Sequence, residues 1–176
     1  MTLIEKSIAL FFSLVLLMAA VSDFRFHKIP NWLTYSAVIV AVVYHTSMKG
    51  FEGFLFSVEG VGVGIAVLVI PYLVGGMGAG DAKLMGAVGG LLGPKGVFMA
   101  FLFIAIIGGI YALALLTLHG YLRELAQRYV GILRTFILTQ KFIYIPPSKK
   151  EKGPRLCYGV AIALGTLISF VWGINT

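Results

Sequence analysis

Two residues, Asp23 and Asp81, are the only aspartates among the 176 residues of the chain. Asp23 lies at the end of the first apolar segment, and Asp81 lies in the glycine-rich stretch GGMGAGDAKLMG (75–86). Two carboxyls held close together cannot both ionise and therefore share a proton near neutral pH. The ionised group can take a proton from water while the protonated group polarises a peptide carbonyl, as in aspartic proteolysis. Because such a pair titrates as a unit, the sequence assigns neither residue the acid or the base role.

Glycines and a lysine surround the second aspartate. Gly78 and Gly80 let another backbone come close, which an extended substrate strand beside a catalytic pair would require. Lys83 is a candidate to contact the substrate or to stabilise the negative charge of the pair, whereas the pattern of basic residues favours a role as an anchor at the inner membrane surface. Asp81 also fits a purely structural role as the N-cap of the next segment, and glycines often serve helix packing, as predicted for the Gly60-x-x-x-Gly64 spacing.

The composition places the chain in a membrane. It is 59% hydrophobic and 12% charged, with a mean hydropathy of +0.97, whereas soluble proteins have about 25% charged residues. The net charge of +7 is concentrated between apolar runs, which is typical of membrane topology and does not favour nucleic acid as a partner. The sequence therefore predicts an integral membrane protein.

Six apolar segments predict an all-α integral membrane protein, a bundle of about six transmembrane helices in one domain over residues 1–176. The fourth segment is too short to span alone, since a full span needs about 20 residues. The first is predicted to be a retained span and not a signal peptide, because its apolar run is long and a basic group follows it. The segments are 3–22, 32–48, 54–74, 82–92, 97–118 and 157–174.

The basic residues predict the orientation of the spans. With the N-terminus outside, eleven Lys and Arg residues lie in inner segments and three, Lys6, Lys49 and Lys95, in outer ones. The side richer in Lys and Arg is cytoplasmic, which puts both aspartates at the cytoplasmic face of the membrane. Residues 119–155 are predicted to form a cytoplasmic amphipathic helix and a loop, with the helix lying on the membrane or packed on the bundle.

Three stretches resemble the type IV prepilin peptidases and archaeal preflagellin peptidases. The run from Gly78 to Leu84 matches the GxGD-x-K-L signature, and the run from Asp23 through Ile29-Pro30-Asn31 resembles the first aspartate motif of that family. The late Tyr158-Gly159-Val160-Ala161-Ile162 resembles the motif of its final helix. Two motifs in the right order, each holding one of the two aspartates, make the resemblance specific.

The resemblance implies a membrane aspartic peptidase with Asp23 and Asp81 as the catalytic pair and no cofactor. Members of the family remove short basic leaders from prepilin-like membrane proteins at the cytoplasmic face, for pilus assembly and protein secretion. The bifunctional members carry paired CxxC motifs associated with N-methylation. This chain has one cysteine, Cys157, so cleavage without methylation is expected, as in tight-adherence pilus or preflagellin peptidases.

Two other functions are also compatible with a pair of aspartates in a membrane protein. A proton- or cation-coupled transporter would use both aspartates, but such sites lie near the membrane midplane and these aspartates fall at span ends. A non-catalytic subunit of a secretion system is a third possibility. No metal is predicted: His27 follows Asp23 by four residues, but Pro30 opposes a continuing helix there. Glu59, early in the third span, is expected to reach the outer headgroups or to pair within the bundle.

Overall fold

The computed structural model describes residues 3–73, 76–118 and 156–175, together with positions 120, 127, 130 and 138. All the long secondary-structure elements of the described residues are α-helices. Three helices are long and apolar enough to cross a membrane, and the last contributes a shorter apolar stretch, Tyr158–Phe170. The all-α membrane class predicted from composition is thus confirmed, whereas the number of spans stays a prediction. The helices are α1 (Leu3–Phe26), α2 (Asn31–Leu73), α3 (Ala79–Leu118) and α4 (Tyr158–Asn175).

Two glycines with positive φ interrupt the long helices. Gly50 (φ 60°) divides α2 into 31–49 and 51–73, and Gly93 (φ 72°) divides α3. Glycine adopts this left-handed region without the steric cost that a Cβ brings, and Pro94 adds a second obstacle to continuing the helix at Gly93. The chain folds back at Gly50, since a Cβ placed on Gly53 would overlap the carbonyl of His45. Both breaks fall between apolar segments that were predicted to be separate spans.

The second half of α2 packs against the first half of α3 through glycines. A Cβ on Gly60 would overlap the carbonyl oxygen of Gly89, and a Cβ on Gly64 would overlap that of Met85. The buried Ser57 hydroxyl donates to the Gly90 carbonyl oxygen at 2.8 Å. Small residues let helices approach closely within a membrane, where van der Waals packing drives association. The packing role predicted for the Gly60-x-x-x-Gly64 spacing is confirmed.

The chain divides into two compact units, 1–108 with 157–176, and 109–156. The first holds the apolar core, in which α1 packs on α4, with fully buried side chains such as Leu84, Val88 and Ile162. In the second, the structure describes mainly the end of α3. The predicted amphipathic helix and loop at 119–155 therefore lie outside the described residues apart from isolated positions. Glu59 is exposed on α2, and its predicted contact with headgroups stays a prediction.

Candidate active site

Asp23 lies in the last turn of α1, and its carboxyl is held by a distant part of the chain. The side chain is 7% exposed, and its Oδ2 accepts a hydrogen bond of 2.8 Å from the backbone N–H of Gly159 in α4. The helix closes just after it, where the N–H of His27 (φ 50°) donates to the Asp23 carbonyl oxygen at 2.8 Å. Pro30 follows and keeps α1 from continuing. Asp23 thus faces the loop that joins α1 to α2.

Asp81 lies in the first turn of α3 and is held by its own neighbours. Its Oδ2 accepts a hydrogen bond of 2.9 Å from the N–H of Gly78, and its own N–H donates to the Gly78 carbonyl oxygen at 3.1 Å. This geometry is one half of a capping box, in which an acidic residue reaches back to the residue before the helix. The suggestion that Asp81 is itself the N-cap is therefore wrong, because α3 begins at Ala79 and Gly78 takes that position.

Asp23 and Asp81 line the same cavity, which has a volume of about 540 Å³. It is lined by residues 22–23 and 26–31, from the last turn of α1 to the start of α2, and by residues 78–81 and 83 around the start of α3. Asp23 and Asp81 are each 7% exposed, and both line this one cavity. Two buried acids at one cavity form the arrangement that can share a proton and activate a water molecule.

The other predicted site residues also line this cavity. A Cβ on Gly80 would stand 3.2 Å from the Cβ of Ile29, so the missing side chain makes room for the loop after α1. A Cβ on Gly78 would lie 3.4 Å from Asp81 Oδ2, an ordinary contact distance. Lys83 Nζ donates to Asn31 Oδ1 at 2.9 Å. Substrate binding by Gly78, Gly80 and Lys83 stays a prediction.

The turn after α1 contacts the residue before α4. Cys157 Sγ lies 3.5 Å from His27 Nδ1, and the hydroxyl of Ser22 donates to the Lys28 carbonyl oxygen at 2.8 Å. Within the described residues, no group of three or more His, Cys, Asp or Glu side chains could hold a metal ion. Among the described residues that line the cavity, Asp23 and Asp81 are the acidic ones.

The chain also matches a known protein family. The model of the type IV leader peptidase family matches residues 10–113, more than half of the chain, and this range contains both aspartates. The chain belongs to the type IV leader peptidase family. Neither a curated protein nor a solved structure matches it. With the apolar helices, membership makes the chain a multi-pass membrane protein of a peptidase family.

The sequence does not reveal two contacts of this cavity. It shows Gly159, which donates a hydrogen bond to Asp23, only as part of a motif, and it indicates no role for Ile29, which packs on Gly80. The resemblance of Tyr158–Ile162 to a final-helix motif was the signal for Gly159, but a motif does not show which residue its backbone contacts. Both contacts join segments distant in sequence, so no local pattern encodes them.

Proposed function

We propose that this protein is a membrane aspartic endopeptidase that removes the short basic leader from prepilin-like or preflagellin-like precursors at the cytoplasmic face. The observation that carries the proposal is the cavity of about 540 Å³ shared by Asp23 and Asp81, which come from different helices. The family match supports the peptidase class, and the two buried acids supply a mechanism for it.

Each carboxyl has one oxygen held and one available for chemistry. Among the described residues, Gly159 is the hydrogen-bond donor to Asp23 and Gly78 the donor to Asp81, and each donates to Oδ2. The Oδ1 atoms are left for the water molecule and the peptide carbonyl. Backbone donors of this kind fix the carboxyls before the substrate arrives, so little reorganisation is required during the reaction.

The reaction then proceeds as an acid–base hydrolysis. The ionised carboxyl takes a proton from water as the water oxygen bonds to the peptide carbon, and the protonated carboxyl gives its proton to the carbonyl oxygen. The resulting tetrahedral diol collapses as its C–N bond breaks. The carboxyl that took the proton from water gives it to the leaving nitrogen, and the other carboxyl, now ionised, takes a proton from a diol hydroxyl as the new carboxyl group forms on the leader. No covalent enzyme intermediate and no cofactor are required.

The place of the cavity in the fold suits a leader peptide. It lies at the end of one apolar helix and the start of another. A precursor whose leader precedes an apolar helix would present its cleavage site at such a helix end. The positive-inside pattern of the sequence supports a cytoplasmic cavity in the inner membrane. The single cysteine supports cleavage without N-methylation.

The test is co-expression with a prepilin-like precursor and detection of leader removal as a gel shift. Wild-type protein is expected to shorten the precursor, whereas Asp23→Asn and Asp81→Asn insert into the membrane but leave it uncut. Complete cleavage by both variants would overturn the aspartic mechanism. Absence of cleavage by wild type, with a proton flux that both variants lose, would support a transporter instead.

A further inference from the structure

The start of α4 forms part of the environment of Asp23. Gly159 is the second residue of α4 and lies 136 positions from Asp23, yet its N–H donates to Asp23 Oδ2 at 2.8 Å. α4 lies beyond the residues matched by the family model, 10–113. The anchor of one proposed catalytic carboxyl therefore comes from a segment to which the family match gives no role.

The charges at the two helix ends favour this contact. The N–H groups in the first turn of a helix have no acceptor within the helix, and the helix dipole gives that end a partial positive charge. Asp23 lies in the last turn of α1, where the carbonyl groups carry the opposite partial charge. The N-terminus of α4 offsets this unfavourable surrounding and supplies a directed hydrogen bond to the carboxyl.

The space around Gly159 also restricts which residue can occupy this position. A Cβ there would stand 2.8 Å from Asp23 Cβ, 3.0 Å from Oδ2 and 3.2 Å from Cγ. Real Cβ atoms do not approach a side chain this closely, and Asp23 Cβ cannot move without moving the backbone of α1. Gly159 is not among the glycines with positive φ, so its role is to permit close approach and not to permit an unusual conformation.

Residues just before Gly159 also contact other parts of the chain. Cys157, just before α4, contacts His27 in the turn after α1. The ring of Tyr158 lies near Gly108 of α3. The first residues of α4 are therefore packed against both the turn after α1 and α3.

We infer that Gly159 is a positioning residue for the reaction, an inference that rests on the proposed function. Its N–H donates a hydrogen bond to Asp23 Oδ2, and its lack of a side chain leaves room for Asp23 at the cavity. Gly159 is not among the described residues that line the cavity, so it acts through Asp23 and not on the substrate.

The test compares two alanine variants of the same helix in purified, detergent-solubilised protein. In Gly159→Ala the new methyl group displaces Asp23. In the matched control, Gly165→Ala, the methyl group meets Ile104 at 2.8 Å from its Cα, away from both aspartates. Both variants have a steric clash in α4, but one alone touches a catalytic carboxyl. The substrate is a prepilin-like precursor with a short basic leader, and kcat, KM and Tm are measured for each protein.

Gly159→Ala is expected to lower kcat about 100-fold, because a displacement of about 1 Å costs that much, while KM stays within about twofold. Gly165→Ala is expected to lower Tm and to keep kcat within about threefold. An unchanged kcat in Gly159→Ala would overturn the inference. An equal loss of kcat in Gly165→Ala would also overturn it, because a general disturbance of α4 would then explain the effect.

A thermal double-mutant cycle tests the contact without activity. Gly159→Ala is expected to lower Tm by about 5 °C in the wild-type background but by less than about 2 °C when combined with Asp23→Gly, which removes the clashing atoms. Equal falls in both backgrounds would contradict the contact. If wild type cleaves no precursor, the proposed peptidase function fails, and this cycle still decides whether Gly159 fixes Asp23.

Discussion

The two aspartates of the cavity are held by the same kind of donor but in opposite ways. Asp81 is bound by the N–H of Gly78, three residues before it, and Asp23 by the N–H of Gly159, 136 residues after it. The first contact forms as soon as α3 forms, whereas the second exists only when α1 packs on α4. One carboxyl is thus positioned by local structure and the other by tertiary structure.

Because of this difference, the two carboxyls should differ in how sensitive their positions are to substitutions. The local anchor has room, because a Cβ on Gly78 would stand 3.4 Å from Asp81 Oδ2. The tertiary anchor has none, because the corresponding distances at Gly159 begin at 2.8 Å. Substitutions far from the cavity should therefore displace the Asp23 carboxyl more readily than the Asp81 carboxyl, unless they change how α3 packs on its neighbours.

Packing of α3 on α2 is the place where Asp81 also depends on distant residues. Gly89→Ala puts a methyl group against the carbonyl of Gly60, an overpacking that costs about 1–3 kcal/mol and lowers Tm by about 5 °C. Thermal unfolding of the purified protein measures this. Gly62→Ala is the control, since a Cβ there meets nothing within 4 Å. Equal Tm values for both variants would contradict the close glycine packing.

Gly78→Ala tests the tolerance of the local anchor. The N–H is retained and the new methyl group makes an ordinary contact with Asp81 Oδ2, so kcat is expected to stay within about threefold of wild type. Gly76→Ala in the same loop is the control. A loss of kcat as large as that expected for Gly159→Ala would remove the proposed difference between the two anchors. A rise in KM with kcat unchanged would place the substrate strand beside Gly78.

Lys83 gives the smallest expected effect. Its ammonium group is bonded to Asn31 Oδ1 and lies 5.3 Å from the centre of the Tyr35 ring, at the edge of the cavity. Lys83→Met is expected to raise KM about threefold with kcat unchanged, because it removes the hydrogen bond to Asn31 at the edge of the cavity, and an exposed contact of this kind contributes about 1 kcal/mol or less. Lys95→Met, on the same helix, is the control. A fall in kcat with unchanged KM would mean that Lys83 acts on the carboxyl pair and not on the substrate.

The features that sequence could predict are those encoded locally. Composition predicted the membrane helices. The breaks at Gly50 and Gly93 fall between predicted segments, because glycine, followed by Pro94 in the second case, interrupts a helix locally. The link between Gly78 and Asp81 lies within one motif. The contact of Gly159 with Asp23, and that of Ile29 with Gly80, depend on which helices pack together, and no spacing in the sequence specifies that.

We propose that Asp23 and Asp81, although their carboxyls are held by different parts of the chain, act as one catalytic unit. The most direct measurement is the rate of leader cleavage by purified wild type, Asp23→Asn and Asp81→Asn, each first shown to be monodisperse and folded. When two residues act as one catalytic unit, removal of either residue abolishes most of the rate enhancement that the pair provides. Each variant is therefore expected to have a kcat lower by about 1,000-fold or more. A variant of either residue that keeps more than about a tenth of the wild-type kcat would contradict the account.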